Sequence, residues 1–389
     1  MKRVVLIVLD SCGCGGDPGA AEYGDAGADT LGHTAQAVGR LSLPHLQALG
    51  LGNISAIAGV DPAARPTAAF GRLQERSVGK DTTTGHWEIA GILTEKPFEV
   101  YSDGFSAQLL DTFARETGRG VLGNKPASGT VIIEELGPEQ LKSGAWIVYT
   151  SGDSVFQIAA HEEKIPLEEL YAACRVARRL CDPLRVARII ARPFVGQPGS
   201  FTRTYNRHDF GMPPPGPTVL DHLQRAGQPV VGVGKISDIF SGRGVDESIH
   251  TEGNADGMEQ TLQRLATLER GLLFVNLIDF DMLYGHRRNP EGFAGALEQF
   301  DGYLPRLLQH IGPDDLLLLT ADHGNDPTHG GTDHTREQVP ILAAGPAAAA
   351  GQALGLRHGF FDVAATVAQA LGLPPSVVGQ GASFLQEIT

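Results

Sequence analysis

Three runs of apolar residues share one format: VVLIVL at 4–9, LLFVNLI at 272–278 and LLLLTA at 316–321 each end directly on an aspartate, Asp10, Asp279 and Asp322. Continuous Val, Ile and Leu without polar alternation suit strands covered on both faces, which points to a mostly parallel sheet flanked by helices. PVVGVG at 229–234 reads as a fourth such strand, and helical stretches at 217–226, 257–269 and 291–309 supply the alternation of an α/β fold. Ligands in such folds bind beyond the carboxyl ends of the strands. The terminal aspartates therefore mark the expected site.

The middle of the chain is different. Between about 98 and 212 the strand candidates are WIVYT at 146–150 and VARIIARPF at 186–194, with helical stretches at 105–117 and 166–180 and no acid-terminated run of the first kind. Lys96-Pro97 and the proline-rich stretch at 212–217 punctuate its ends. We expect a smaller α+β cap domain, 98–212, inserted into a core whose halves are 1–97 and 213–389. The stretch AAGPAAAAGQALG at 343–355 reads as a surface connection.

Charge narrows the class of partner. With 31 basic and 45 acidic residues the formal charge is -14, which repels nucleic acid and anionic membrane surfaces, so an anionic substrate must meet a local positive site. The N-terminal run ends at Asp10, shorter than a signal peptide needs, and no stretch is apolar enough to span a bilayer. The four cysteines, Cys12, Cys14, Cys174 and Cys181, lack any CxxC or zinc spacing, so reduced thiols in a cytoplasmic protein are expected. With no coiled-coil pattern in view, a monomer is the expected state.

The chemistry concentrates in two segments. TADHGNDPTHGGTDHTR at 320–336 offers Asp322, His323, His329, Asp333 and His334, and DFDMLYGHRR at 279–288 offers Asp279, Asp281 and His286. Carboxylates and imidazoles without thiolates are ligands of Mn, Fe and catalytic Zn. A single aspartate after a strand is usually a helix cap, and a lone histidine is usually satisfied by its surroundings. Two clusters, with Asp10 at a third strand end, instead indicate a two-metal site able to hold the oxygens of a phosphoryl displacement. A further segment, GKDTTTGHWE at 79–88, carries Thr82, Thr83 and Thr84. Asp81 or a threonine can cap the following helix, and a threonine hydroxyl beside a dication can act as a nucleophile. Spacing does not choose among the three.

With these residues assembled, the chain resembles the phosphopentomutase family of the alkaline phosphatase superfamily. The resemblance rests on VLDSCGCG, GADTLGH, GKDTTTGHWE, NKPASGT, YTSGDSVFQIAAHEE, IARPFVG, FTRT, NRHD, GKISDIF, NLIDFDMLYGHRR and TADHGNDPTHGGTDHTRE, which span nearly the whole length. It implies an alkaline-phosphatase-like core and the interconversion of α-D-ribose 1-phosphate and D-ribose 5-phosphate, and of the 2-deoxy sugars. The implied cofactors are two Mn²⁺ ions, with ribose 1,5-bisphosphate or glucose 1,6-bisphosphate as primer. By position in the Lys-Asp-Thr motif, Thr82 looks like the phosphoryl carrier. Asp10, Asp322 and His323 look like ligands of one metal, and Asp281, His286 and His334 of the other, with His329 and Asp279 as nearby support. Ser151, Asp153, Arg188 and Lys235 match positions that approach the sugar phosphate. The cap is expected to close over a bisphosphate intermediate and exclude water.

Overall fold

The computed structural model describes residues 1–346 and 348–389. The chain divides into two compact units, one of Met1–Lys96 with Pro214–Thr389 and one of Pro97–Pro213.

The larger unit, the core, is built on eight strands labelled in chain order: β1 (Arg3–Leu9), β2 (Ala69–Leu73), β9 (Val230–Val233), β10 (Glu247–Ile249), β11 (Gly271–Leu277), β12 (Asp315–Thr320), β13 (Val339–Ala344) and β14 (Ala353–Arg357). Their order is β10-β9-β11-β1-β12-β13-β2-β14. The strands from β10 to β12 run parallel, β13 is antiparallel to both neighbours, and β14 is parallel to β2. All residues of β11 and β12, and all but Arg3 in β1, are buried, as continuous apolar runs require when both faces are covered. Each such Val, Leu or Ile stabilises the fold by roughly 1.5–3 kcal/mol. Ile7→Asp would break the arrangement, because a carboxylate there would be buried without a partner. The register sets Leu9 opposite Leu277 and Val8 opposite Thr320, so the three central strands end nearly flush and their terminal acids emerge together.

Most of the stretch at 343–355 is the surface connection expected of it, the described residues from 345 to 352 lying in turns and loops with none of them buried. Its ends belong to β13 and β14, and residue 347 within it lies outside the described residues. Pairing with buried neighbours makes strands of alanine-rich sequence that has little strand propensity of its own.

The smaller unit, the cap, contains β3 (Val121–Pro126), β4 (Trp146–Thr150), β5 (Val155–His161), β6 (Arg188–Val195), β7 (Thr202–Arg203) and β8 (His208–Gly211). The order is β3-β4-β5-β6-β7, with β8 also paired to β6, and pairing is mixed. One apolar cluster gathers Phe113, Trp146, Phe156, Cys174 and Ile189, and includes buried residues of the helices Ala107–Thr117 and Leu167–Cys181. A second gathers Ile132, Ile133, Ile147, Tyr149 and Phe194, with the helix Gly129–Ser143. Among the described residues no helix is long and apolar enough to cross a membrane.

Candidate metal centre

The flush strand ends of the core bring six of the sequence candidates into two groups. Asp10, Asp322 and His323 offer ligand atoms within 4.8 Å of one another, and so do Asp281, His286 and His334. Local backbone explains the aim of each. Ser11, directly after Asp10, adopts a left-handed φ of 69°, uncommon for a residue with a side chain, and its amide donates to Asp322 Oδ1 at 3.0 Å. Asp281 is the second residue of a π-helical turn, Phe280–Gly285, and the amide of the following His286 donates to the Asp281 carbonyl at 3.1 Å. The wider turn sets residues five apart on one side, and Asp281 Oδ2 lies 3.3 Å from His286 Nε2. The two groups adjoin, because the ring centroid of His334 lies 4.3 Å from that of His323 and 4.6 Å from that of His286.

Each carboxylate is held by one oxygen. Asn276 Nδ2 donates to Asp10 Oδ2 at 2.8 Å, the Ser11 amide holds Asp322 Oδ1, and Asn325 Nδ2 donates to Asp281 Oδ1 at 2.7 Å. Gly285 makes room for the last contact, since a Cβ there would stand 2.6 Å from Asn325 Cγ. The other oxygens of Asp10 and Asp322 are buried without a hydrogen bond. His86 Nδ1 lies 2.9 Å from Asp322 Oδ2, but it is aligned on the Thr82 carbonyl, also at 2.9 Å. The imidazoles are oriented in the same manner. His323 Nδ1 donates to the Gly324 carbonyl at 3.0 Å and His286 Nδ1 to the Thr332 carbonyl at 2.7 Å, so in the neutral rings Nε2 carries the lone pair. His334 Nε2 is buried without a hydrogen bond.

Without a cation these buried acids lean on histidine. Burial, and then Asp322, push the Asp10 carboxyl up. Burial also opposes ionisation of Asp322, but His323 and His86 outweigh it and hold that carboxyl down. Burial disfavours a charged His323, yet Asp322 and Asp10 raise it well above an ordinary imidazole. Orphaned carboxylate oxygens and free imidazole nitrogens, with no thiolate among them, fit a divalent metal of the Mn, Fe or Zn class.

The threonine segment resolves into separate roles. The helix Thr82–Ile89 is capped by Asp81, which accepts from the Thr84 amide at 3.1 Å and from Thr84 Oγ1 at 2.6 Å. Thr84 is therefore engaged in the cap, whereas Thr82 Oγ1 lies 3.2 Å from His323 Nε2. The helix comes this close because Gly85 lacks a Cβ, which would stand 2.2 Å from the Asp322 carbonyl oxygen. The buried Arg336 fixes the approach to the helix, donating to Glu75 Oε2 at 2.9 Å and to the carbonyls of Ser77 and Gly79.

Other candidates lie elsewhere. Asp279 Oδ2 accepts from the Asn254 amide at 2.7 Å, His329 Nε2 lies 3.4 Å from the Gly24 carbonyl, and Asp333 is exposed, 3.7 Å from Lys80. Lys235 is exposed in the core, two residues past the end of β9. Ser151, Asp153 and Arg188 line a cavity of about 330 Å³ within the cap. Sequence reasoning missed Asn276, Asn325, His86 and Arg336. Only Asn276 left a signal, as the one polar residue inside the run at 272–278.

Fold and donor set together define an alkaline-phosphatase-like metalloenzyme, and residues 2–375 match the Metalloenzyme superfamily. A phosphopentomutase from Anaeromyxobacter dehalogenans is 58% identical over 389 residues, covering 100% of this chain and 99% of that one. Another, from Caldanaerobacter subterraneus, is 52% identical over 389 residues, covering 100% of this chain and 98% of that one. The chain belongs to the phosphopentomutase family and is an isomerase. A phosphoglycerate mutase structure from Leishmania mexicana covers 96% of each chain at 14% identity, with a TM-score of 0.49.

Proposed function

We propose that the chain interconverts α-D-ribose 1-phosphate and D-ribose 5-phosphate, and the 2-deoxy forms, through a phosphothreonine at Thr82. The observation that carries this reading is the Thr82 hydroxyl, 3.2 Å from His323 Nε2 and beside two adjoining groups of metal-ligand type.

The physical problem is to move a phosphoryl group between hydroxyls at opposite ends of a pentose. A carrier on the protein solves it in two transfers. In the first, the bond from phosphorus to Thr82 Oγ1 breaks while one forms to the free sugar hydroxyl, which gives up its proton and yields the 1,5-bisphosphate. In the second, the bisphosphate has turned round. Its other phosphoryl group passes to Thr82 Oγ1, and the released sugar oxygen takes a proton.

Asp10, Asp322 and His323 would hold one Mn²⁺ ion, and Asp281, His286 and His334 the other. Such ions, when bound, supply positive charge to the phosphoryl oxygens and favour the ionised threonine. The protein's own share is orientation. The helix Thr82–Ile89 offers its positive dipole end to a phosphate on its first residue. Asn276, Ser11 and Asn325 keep the carboxylates turned to one side. Ser151, Asp153, Arg188 and Lys235 would bind the sugar phosphate. A trace of sugar bisphosphate would charge Thr82 at the start.

Phosphorus NMR of ribose 1-phosphate with the Mn²⁺-loaded protein and a trace of bisphosphate tests the reading. Ribose 5-phosphate without free phosphate is the expected product. Free phosphate would make the protein a phosphatase, and an unchanged spectrum would remove pentose phosphates as substrates.

A further inference from the structure

The cap gathers charge of the opposite sign to that of the metal centre. Its cavity of about 330 Å³ is lined by Ser128, Gly129, Gln157, Arg188, Arg192 and Arg207, among others. Two of these arginines have acidic partners. Arg207 holds Asp209 through two bonds of 2.7 Å, and Arg188 lies 3.6 Å from Asp153 and 3.8 Å from Asp209. Arg192 donates through Nε to the neutral amide oxygen of Gln157 at 3.1 Å. Among the described residues, neither Arg192 nor the nearby Arg203 has a carboxylate partner.

A helix terminus opens on the same wall. Ser128 is the N-cap and Gly129 the first residue of the 15-residue helix Gly129–Ser143, yet Ser128 Oγ pairs with Thr130 Oγ1 at 2.9 Å and caps nothing. The first amides of that helix lack both an intrahelical acceptor and a side-chain cap, and its dipole is positive there.

A third feature is independent of the helix. Tyr149 is 1% exposed, and its hydroxyl has no hydrogen-bond partner. A Cβ on Gly129 would stand 2.7 Å from that hydroxyl and 3.6 Å from Arg203 Nη1, so phenol, guanidinium and helix start converge on one point. Burial raises the Tyr149 phenol while Arg192, Arg203 and Arg207 pull it back, which puts all three cations within electrostatic reach. Arg192 is itself lowered, chiefly by burial, with Tyr149 and Asp209 pulling it up and Arg207 and Arg203 pushing it down.

We propose that this wall of the cap is a phosphate site, in which Arg192, Arg203, the Tyr149 hydroxyl and the first amides of the Gly129–Ser143 helix donate to one phosphate dianion. The inference rests on the proposed function only for the identity of that phosphate, which is then the group of the sugar phosphate that is not being transferred. Inorganic phosphate is the other source of the same chemistry.

The test uses the metal-loaded full chain, with Arg203→Met at an exposed position and Tyr149→Phe as a second, nearly isosteric change. Loss of a charge-assisted donor should weaken phosphate binding about 10- to 100-fold for Arg203→Met, and by less for Tyr149→Phe. Calorimetric titration with inorganic phosphate and the KM for ribose 5-phosphate are the two readouts. A KM raised by that factor, with kcat and metal content unchanged, assigns the site to the sugar phosphate. Lost inorganic phosphate binding at unaltered KM assigns it to the free ion, and the site stands in both cases. Equal phosphate affinity and equal KM in the wild type and both variants overturn the proposal. Failure of the Thr82 reading would show separately, as absent interconversion by the wild type, while the phosphate titration needs no turnover.

Discussion

The two units concentrate charge by opposite means. In the core, the carboxylates of Asp10, Asp322 and Asp281 are buried, each held by a neutral donor on one oxygen, and the second oxygen of Asp10 and of Asp322 is left without a hydrogen bond. In the cap, long arginines stand half-buried or exposed along a cavity wall, some paired with acids and some not. A carboxylate positioned by backbone cannot withdraw to water, so its burial is tolerated only with a cation or a proton. An arginine keeps its charge and can fold its stem over apolar surface, so it can wait for an anion while partly solvated. The difference suits a chain of formal charge -14 acting on an anionic substrate, since positive charge must come from ions in one unit and from side chains in the other.

The sharpest way to separate these roles is Thr82→Ala. Turnover should vanish, while metal content and phosphate binding by the cap remain at wild-type levels. An active variant would move the phosphoryl carrier elsewhere, and loss of metal would mean that Thr82 helps to build the core site. Asp281→Ala and His334→Ala should each lose the metal of their own group, read by elemental analysis of the dialysed protein. Full metal content in either variant would break the assignment of that group, whatever the activity.

The core was legible because its strands are continuous apolar runs, and the acids that end them announced the site. Pairing the acids with their supports was not legible. Asn325 and His86 act through folding that brings them from distant segments beside Asp281 and Asn276 respectively. The same holds for the cap. VFQIAAH of β5 was not among the expected strands, since Gln157 and His161 interrupt its apolar run, yet all seven residues are buried. The helix Gly129–Ser143 was likewise not among the expected elements, and it carries Pro138, a residue that disfavours helix interiors. Threonine spacing left three hydroxyls equivalent, and the fold separates them by engaging Thr84 in the cap with Asp81 and setting Thr82 Oγ1 3.2 Å from His323 Nε2.

Glu337 tests whether a buried acid in the core without a metal-ligand role behaves as this contrast requires. It accepts from the hydroxyls of Thr30 and Thr335 and from the amides of Gly15 and Thr30, while burial pushes its carboxyl from 4.5 up to about 7. A folded value above the unfolded one means that the folded state binds the proton more tightly. The associated stability is present below pH 4.5 and is lost as pH rises through about 7. The shift corresponds to roughly 3 kcal/mol. Denaturant unfolding of the metal-free protein across this window should show the wild type losing that much relative to Glu337→Gln. Parallel pH profiles would mean that the four donors fully compensate burial.

The smallest expected effect bears most directly on how the core holds its cations. Asn325→Ala leaves every proposed ligand in place but removes the donor that fixes Asp281 Oδ1. Asn276→Ala does the same for Asp10 Oδ2 in the other group. Loss of such an outer partner typically weakens metal binding about 10- to 100-fold, because the carboxylate must then be ordered by the metal itself. Metal titration should therefore show one weakened site in each variant, and a different one. If both variants weaken both sites alike, the two groups behave as a single unit, and the adjoining rings of His323 and His334, 4.3 Å apart, are where that coupling would run.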